Sequence, residues 1–169
     1  MGNYKLVTQD MTTYNHCKWE VGVKKITSGE GDLCGSGWLH YYSNPLLAVL
    51  FNPIHTDYKN PRLFLADVGG RILHDGQLKS GASEMTLIKE IELPIITTTQ
   101  RIAFAILCAL EVYKAPDFVI WATNWLPGKD RTAESAWVAW AVAEVWAEAV
   151  KRKIDIDFVA LAEKAINMY

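Results

Sequence analysis

The hydrophobic pattern of this chain changes period at Thr97, and that change limits what it can fold into. Before Thr97, apolar residues recur at about every second position, as on a half-buried strand. In Lys18 to Ile26, Trp19, Val21 and Val23 share one face and Glu20, Gly22 and Lys24 the other. In Thr86 to Leu93, Leu87, Lys89, Ile91 and Leu93 alternate with Ile88, Glu90 and Glu92. After Thr97 the spacing lengthens to about 3.6 residues, the period of one helix face; Ile102, Ala105, Ile106, Ala109 and Val112 keep it. The pattern predicts an α+β protein. A strand-rich N-terminal half, mostly antiparallel with one short helix, fills 1–95, and a C-terminal bundle of about four helices fills 96–169.

Local signals divide the front half. Strands are expected over Tyr4 to Thr8, Lys18 to Ile26, Trp38 to Tyr42, Arg62 to Val68, Arg71 to Leu73 and Thr86 to Leu93. The glycine-rich run Thr27 to Gly37 is a loop. Asn44 caps a short helix with Pro45 in its first turn and Leu46, Leu47, Val49 and Leu50 on its apolar face. Asn52-Pro53 is expected to stop that helix. Gly69-Gly70 closes the fourth strand, and His74-Asp75-Gly76 is a turn signal.

In the back half, Thr97 and Gln100 stand in capping-box positions for a helix running from Thr98 to Tyr113. Pro116 opens the next helix, with Asp117 near its positive end and Phe118, Trp121, Ala122 and Trp125 on its stripe. Pro127-Gly128 ends it. Asp130 or Thr132 caps a long helix from Ala133 to about Lys153, and Asp155 or Asp157 caps a last one, Phe158 to Asn167. The long helix has only a narrow polar strip, formed by Glu134, Glu144, Glu148, Lys151 and Arg152. Its Trp137, Trp140 and Trp146 point in too many directions for one bundle to cover. At least one of these indoles is therefore expected at a surface covered by a second copy or by a partner.

Half of the 169 residues are hydrophobic, enough for a sizeable core. Basic and acidic side chains nearly balance, 17 against 19, which argues against a nucleic-acid partner. Three cysteines, Cys17, Cys34 and Cys108, cannot all pair within the chain and read as reduced thiols. The stretch Met1 to Asp10 has no apolar signal core, and no apolar run reaches the roughly 20 residues that span a bilayer. A cytoplasmic location without a membrane partner is expected.

No phosphate-binding glycine loop, nucleophile elbow or HExxH is present. Cys34-Gly35-Ser36-Gly37-Trp38 has the residue types of a thiol-protease turn but no helix to lower the thiol pKa. His16, Cys17, Cys34, His40 and His55 include metal-ligand types, but no CxxC or HxxxH pair organises them, so no metal is expected; Cys17 and Cys34 read as small buried groups in a sheet. The densest polar-aromatic cluster is Trp38 to Asn44. His40 and Tyr41 with Glu90 or Glu92 would supply the groups of an ADP-ribosyltransferase, in which His and Tyr hold the nicotinamide nucleotide and a glutamate orients the attacked ribose. Against this stands ordinary alternation across a half-buried strand. Binding residues are sought at Trp38, His40, Tyr42, Arg131, Trp137, Trp140 and Trp146.

Two stretches carry a resemblance. Cys34 to His40, Asn44 to Leu50 and Asn60-Pro61-Arg62-Leu63-Phe64 together resemble uncharacterised domains of phages, prophages and bacterial genomes. Leu107 to Val112, Trp121 to Trp125 and Gly128-Lys129-Asp130-Arg131-Thr132 resemble alanine-rich helical immunity proteins. The resemblance implies a role in phage–bacterium or bacterium–bacterium conflict, as an immunity or anti-defence type inhibitor that binds and blocks a partner. The expected function is a non-catalytic binding protein without cofactor. Its partner would be a host defence component or toxin, or a second copy. The alternative is an ADP-ribosyltransferase-like enzyme, or a sponge for a small nucleotide ligand, using the front-half cleft.

Overall fold

The computed structural model of the chain describes residues 2–76, 78–129, 131 and 156–169. The fold is α+β, with an antiparallel sheet in the N-terminal half and helices mostly in the C-terminal half. Two compact units are formed, Met1–Ile95 and Ile96–Tyr169.

The first unit is organised by one long hairpin, β6 (Arg62–Asp75) and β7 (Lys79–Ile91). β1 (Asn3–Val7) pairs antiparallel with the front of β6. The other edge of β7 carries β4 (Lys24–Ile26) and β5 (Leu39–Tyr41) in succession. A further antiparallel bridge, Tyr4 to Tyr42, carries β1 back to the end of β5, with backbone hydrogen bonds of 2.8 and 2.9 Å. The sheet therefore curls round on itself. Inside the curl lies an apolar cluster of Val7, Trp19, Leu39, Tyr41, Phe64, Ala66, Ala82, Met85 and Leu87. A separate small ribbon, β2 (Thr12–Thr13) with β3 (Cys17–Lys18), delivers Trp19 to this cluster, where its indole N–H donates to Thr13 Oγ1 at 2.9 Å.

The expected single strand from Lys18 to Ile26 is broken. Gly22 turns with φ +81°, Val21 makes only an isolated bridge to Leu87, and Val21 and Val23 are exposed while Trp19 is buried. Alternation in sequence thus served two short pieces rather than one face. The Gly69-Gly70 pair does not end a strand either. It forms a bulge in a continuous β6, with the register shifting between Gly69 and Ile72. Gly70 has φ +71°, and a Cβ there would collide with the Ser83 hydroxyl, which accepts the Arg71 N–H at 2.8 Å. The Ser80-Gly81-Ala82-Ser83 stretch, too small and polar to read as a strand, forms the buried first half of β7. Gly81 is needed there because a Cβ would lie 2.6 Å from Leu33 Cδ1 and 2.9 Å from Trp38 Cβ. Gly81→Ala is expected to cost about 1–3 kcal/mol by overpacking, read from urea unfolding. A loss below about 0.5 kcal/mol would mean that the Leu33 loop yields freely.

Helix α1 (Pro45–His55) is capped by Asn44, whose Oδ1 accepts from Leu46 N at 2.8 Å. It buries Leu47, Ala48, Val49, Leu50 and Phe51. It also runs through Pro53, where a stop was expected. Proline in the last turn forfeits a single helical N–H, and Asn52 secures the exit. The Asn52 carbonyl accepts from Thr56 and Asp57 N–H, and its side chain both accepts from Tyr58 N (3.1 Å) and donates to Tyr58 O (3.0 Å).

In the second unit, α2 (Thr98–Val112) opens with the expected reciprocal capping box of Thr97 and Gln100. The buried Gln100 amide also donates to the Ile166 and Tyr169 carbonyls at 3.1 and 3.2 Å, closing the end of α4 (Phe158–Asn167). α3 (Pro116–Trp125) ends in a paired turn: Gly128 (φ +79°) bonds back to Trp125 and Lys129 to Asn124. Asp157 caps α4 through Ala160 N at 2.9 Å. Trp121 is only half-buried, and its Nε1 lacks a partner among the described residues, so it is a weaker anchor than its stripe position implied. The long helix expected from Ala133 to Lys153, with Trp137, Trp140 and Trp146, lies outside the described residues.

Candidate functional site

β5 is three residues long and has two chemically different faces. Tyr41 points into the curled sheet and is buried, and burial raises its pKa. Its hydroxyl meets Ser80, whose Oγ in turn lies 2.7 Å from His74 Nδ1 on the facing strand. Lys5 also enters this interior from β1. It is 8% exposed, with its ammonium 5.3 Å from the Trp19 ring centre and 2.6 Å from the His40 carbonyl. Desolvation lowers its pKa to about 8, with the neighbouring Cys17 opposing the shift.

The other face of β5 carries His40 and Tyr42. His40 Nε2 donates to the Leu33 carbonyl, and burial lowers its pKa, helped by repulsion from Lys5 and Lys79. Because a carbonyl only accepts, the neutral His40 ring leaves Nδ1 bare. Tyr42 is buried, stacks on Phe51 and His55 of α1, and meets His55 Nδ1 at 2.8 Å. Burial keeps the phenol protonated by raising its pKa. Tyr42 Oη and His55 Nδ1 share one hydrogen bond: with the phenol as donor the His55 proton lies on Nε2, and with the phenol as acceptor it lies on Nδ1. Desolvation, with repulsion from Lys79 and His40, lowers His55 to about 4, so its ring is neutral near pH 7. Lys79 stands two positions from Gly81, the partner of His40, and so on the same side of β7. Its ammonium reaches the Cys34 sulfur at 3.3 Å. The Leu33–Cys34 loop is thereby gripped by His40 and by Lys79. Trp38 donates to the Gly31 carbonyl at 3.0 Å and closes the loop from within.

The strand expected over Trp38 to Tyr42 forms over Leu39–Tyr41, with Tyr42 following as an isolated bridge to Tyr4, but the carboxylates do not join His40 and Tyr41. Glu90 is paired with Arg62 at 2.5 and 2.9 Å and faces Phe64, nine residues along β7 from Gly81. That separation is roughly 30 Å in an extended strand. Glu92 is exposed beyond the end of β7. His55, Lys79 and Lys5 come from α1, β7 and β1, and no local spacing marks them as neighbours of β5. Cys34 is exposed in the loop, and Cys17 is partly buried beside the inner cluster; Cys108 is the buried thiol, and all three are free. Arg131 is exposed, and its guanidinium lies over two rings of the second unit, 4.9 Å from the Trp125 ring centre and 4.5 Å from the Tyr169 ring centre. Trp137, Trp140 and Trp146 are outside the described residues.

Among the described residues, no three His, Cys, Asp or Glu side chains are placed to hold a metal ion. No helix among them is long and apolar enough to cross a membrane. A family model described as a domain of unknown function, DUF7666, matches residues 1–98. It spans the curled sheet and every residue of the cluster at β5. No curated protein and no solved structure matches the chain.

Proposed function

The chain belongs to the DUF7666 family, and from its geometry we propose that it is a non-catalytic binding protein. The observation that carries this reading is the Arg62–Glu90 pair. It holds the carboxylate nearest in type to an ADP-ribosyltransferase acid at the far end of β7, away from His40 and Tyr41. Chemistry at a nucleotide ribose needs that acid within hydrogen-bond reach of the reacting atoms. What gathers at β5 instead is a set of imidazoles, a phenol and an ammonium, groups that can donate to or accept from a bound ligand. The immunity or anti-defence role implied by the sequence resemblance is the finer form of the same proposal, with a host component or toxin as the partner.

The test is incubation of the full chain with labelled NAD, alone and with host lysate. No nicotinamide release is expected above that of His40→Ala. Release that is lost in both His40→Ala and Glu90→Gln would overturn the reading in favour of the enzyme. Capture from lysate followed by mass spectrometry, with small molecules analysed beside proteins, then identifies what is bound.

A further inference from the structure

We draw no further inference here: the strongest candidate, the exposed Cys34 thiol on the loop beside β5 with the Lys79 ammonium 3.3 Å from its sulfur, carries nothing, because it is a lone cysteine in contact with one side chain and nothing else among the described residues points to a ligand there.

Discussion

Phe64→Ala is expected to destabilise the first unit by about 3–5 kcal/mol, the range for truncating a fully buried aromatic. Phe64 is 1% exposed and belongs to the inner cluster with Val7, Ala66, Met85 and Leu87. Its ring also supports the Arg62 guanidinium, 5.2 Å away, on the route to Glu90. The rigid curl of the sheet limits collapse into the space left behind, so cavity and transfer costs add. Amide hydrogen exchange of the β6 and β7 backbone reads this loss in the first unit without interference from the second. Protection reduced by less than about 1 kcal/mol would show that the interior refills, and that the cluster is softer than its burial indicates.

Lys5→Met is expected to act in the opposite direction. Lys5 lies across from Phe64 in the β1–β6 register, inside the same cluster. Its folded pKa, about 8, is below its ordinary value of 10.5. A lysine with a depressed pKa weakens the fold while its folded form must be charged, and stability rises with pH wherever the unfolded chain holds more protons. Between about pH 8 and pH 10.5 stability gained from this group rises with pH; below pH 8 both states are protonated and the full penalty is present. A shift of about 2.5 units corresponds to roughly 3 kcal/mol. Methionine removes that penalty, but it also loses the bond to the His40 carbonyl and the contact with the Trp19 face. The net gain at pH 7 is therefore expected near 1–2 kcal/mol, with the difference between the two proteins shrinking or reversing by about pH 10.5. Urea unfolding of both proteins at pH 7 and pH 10 checks it. A variant less stable than the parent at pH 7 would show that Lys5 is stabilised by its partners more than it is penalised by burial.

Much of this architecture is written in local chemistry. The Asn44 cap, the Thr97–Gln100 box, the Gly128 turn and the Asp157 cap each need only residues within a few positions of one another, and each forms as the sequence predicts. Errors arose where a local signal was answered by a distant partner. Gly69-Gly70 reads as an end because glycine usually interrupts strands, yet Ser83 across the hairpin turns it into a bulge. Ser80 to Ser83 lacks strand-forming side chains, yet its smallness is what lets Trp38 and Leu33 pack on Gly81. Pro53 reads as a stop, yet Asn52 and Tyr58 together carry the helix past it. The site followed the same rule. His40 and Tyr42 were legible because two positions along a strand share a face. Lys79, His55 and Lys5 were not, because their meeting depends on the β5–β7 pairing, on the packing of α1 and on the Tyr4–Tyr42 bridge.

That last bridge has a consequence for biosynthesis. Among the described residues β1 pairs with β6 and with Tyr42 just after β5, so these partners are made about sixty and forty residues later. At roughly 5–20 residues per second the ribosome needs about 3–12 s to supply β6. During that interval β1 carries Leu6 and Val7 without β6 to join, while the β6–β7 hairpin, once translated, can zip from its own turn. β1 therefore waits for partners made later, and a chaperone that shelters short apolar segments would have an opportunity there.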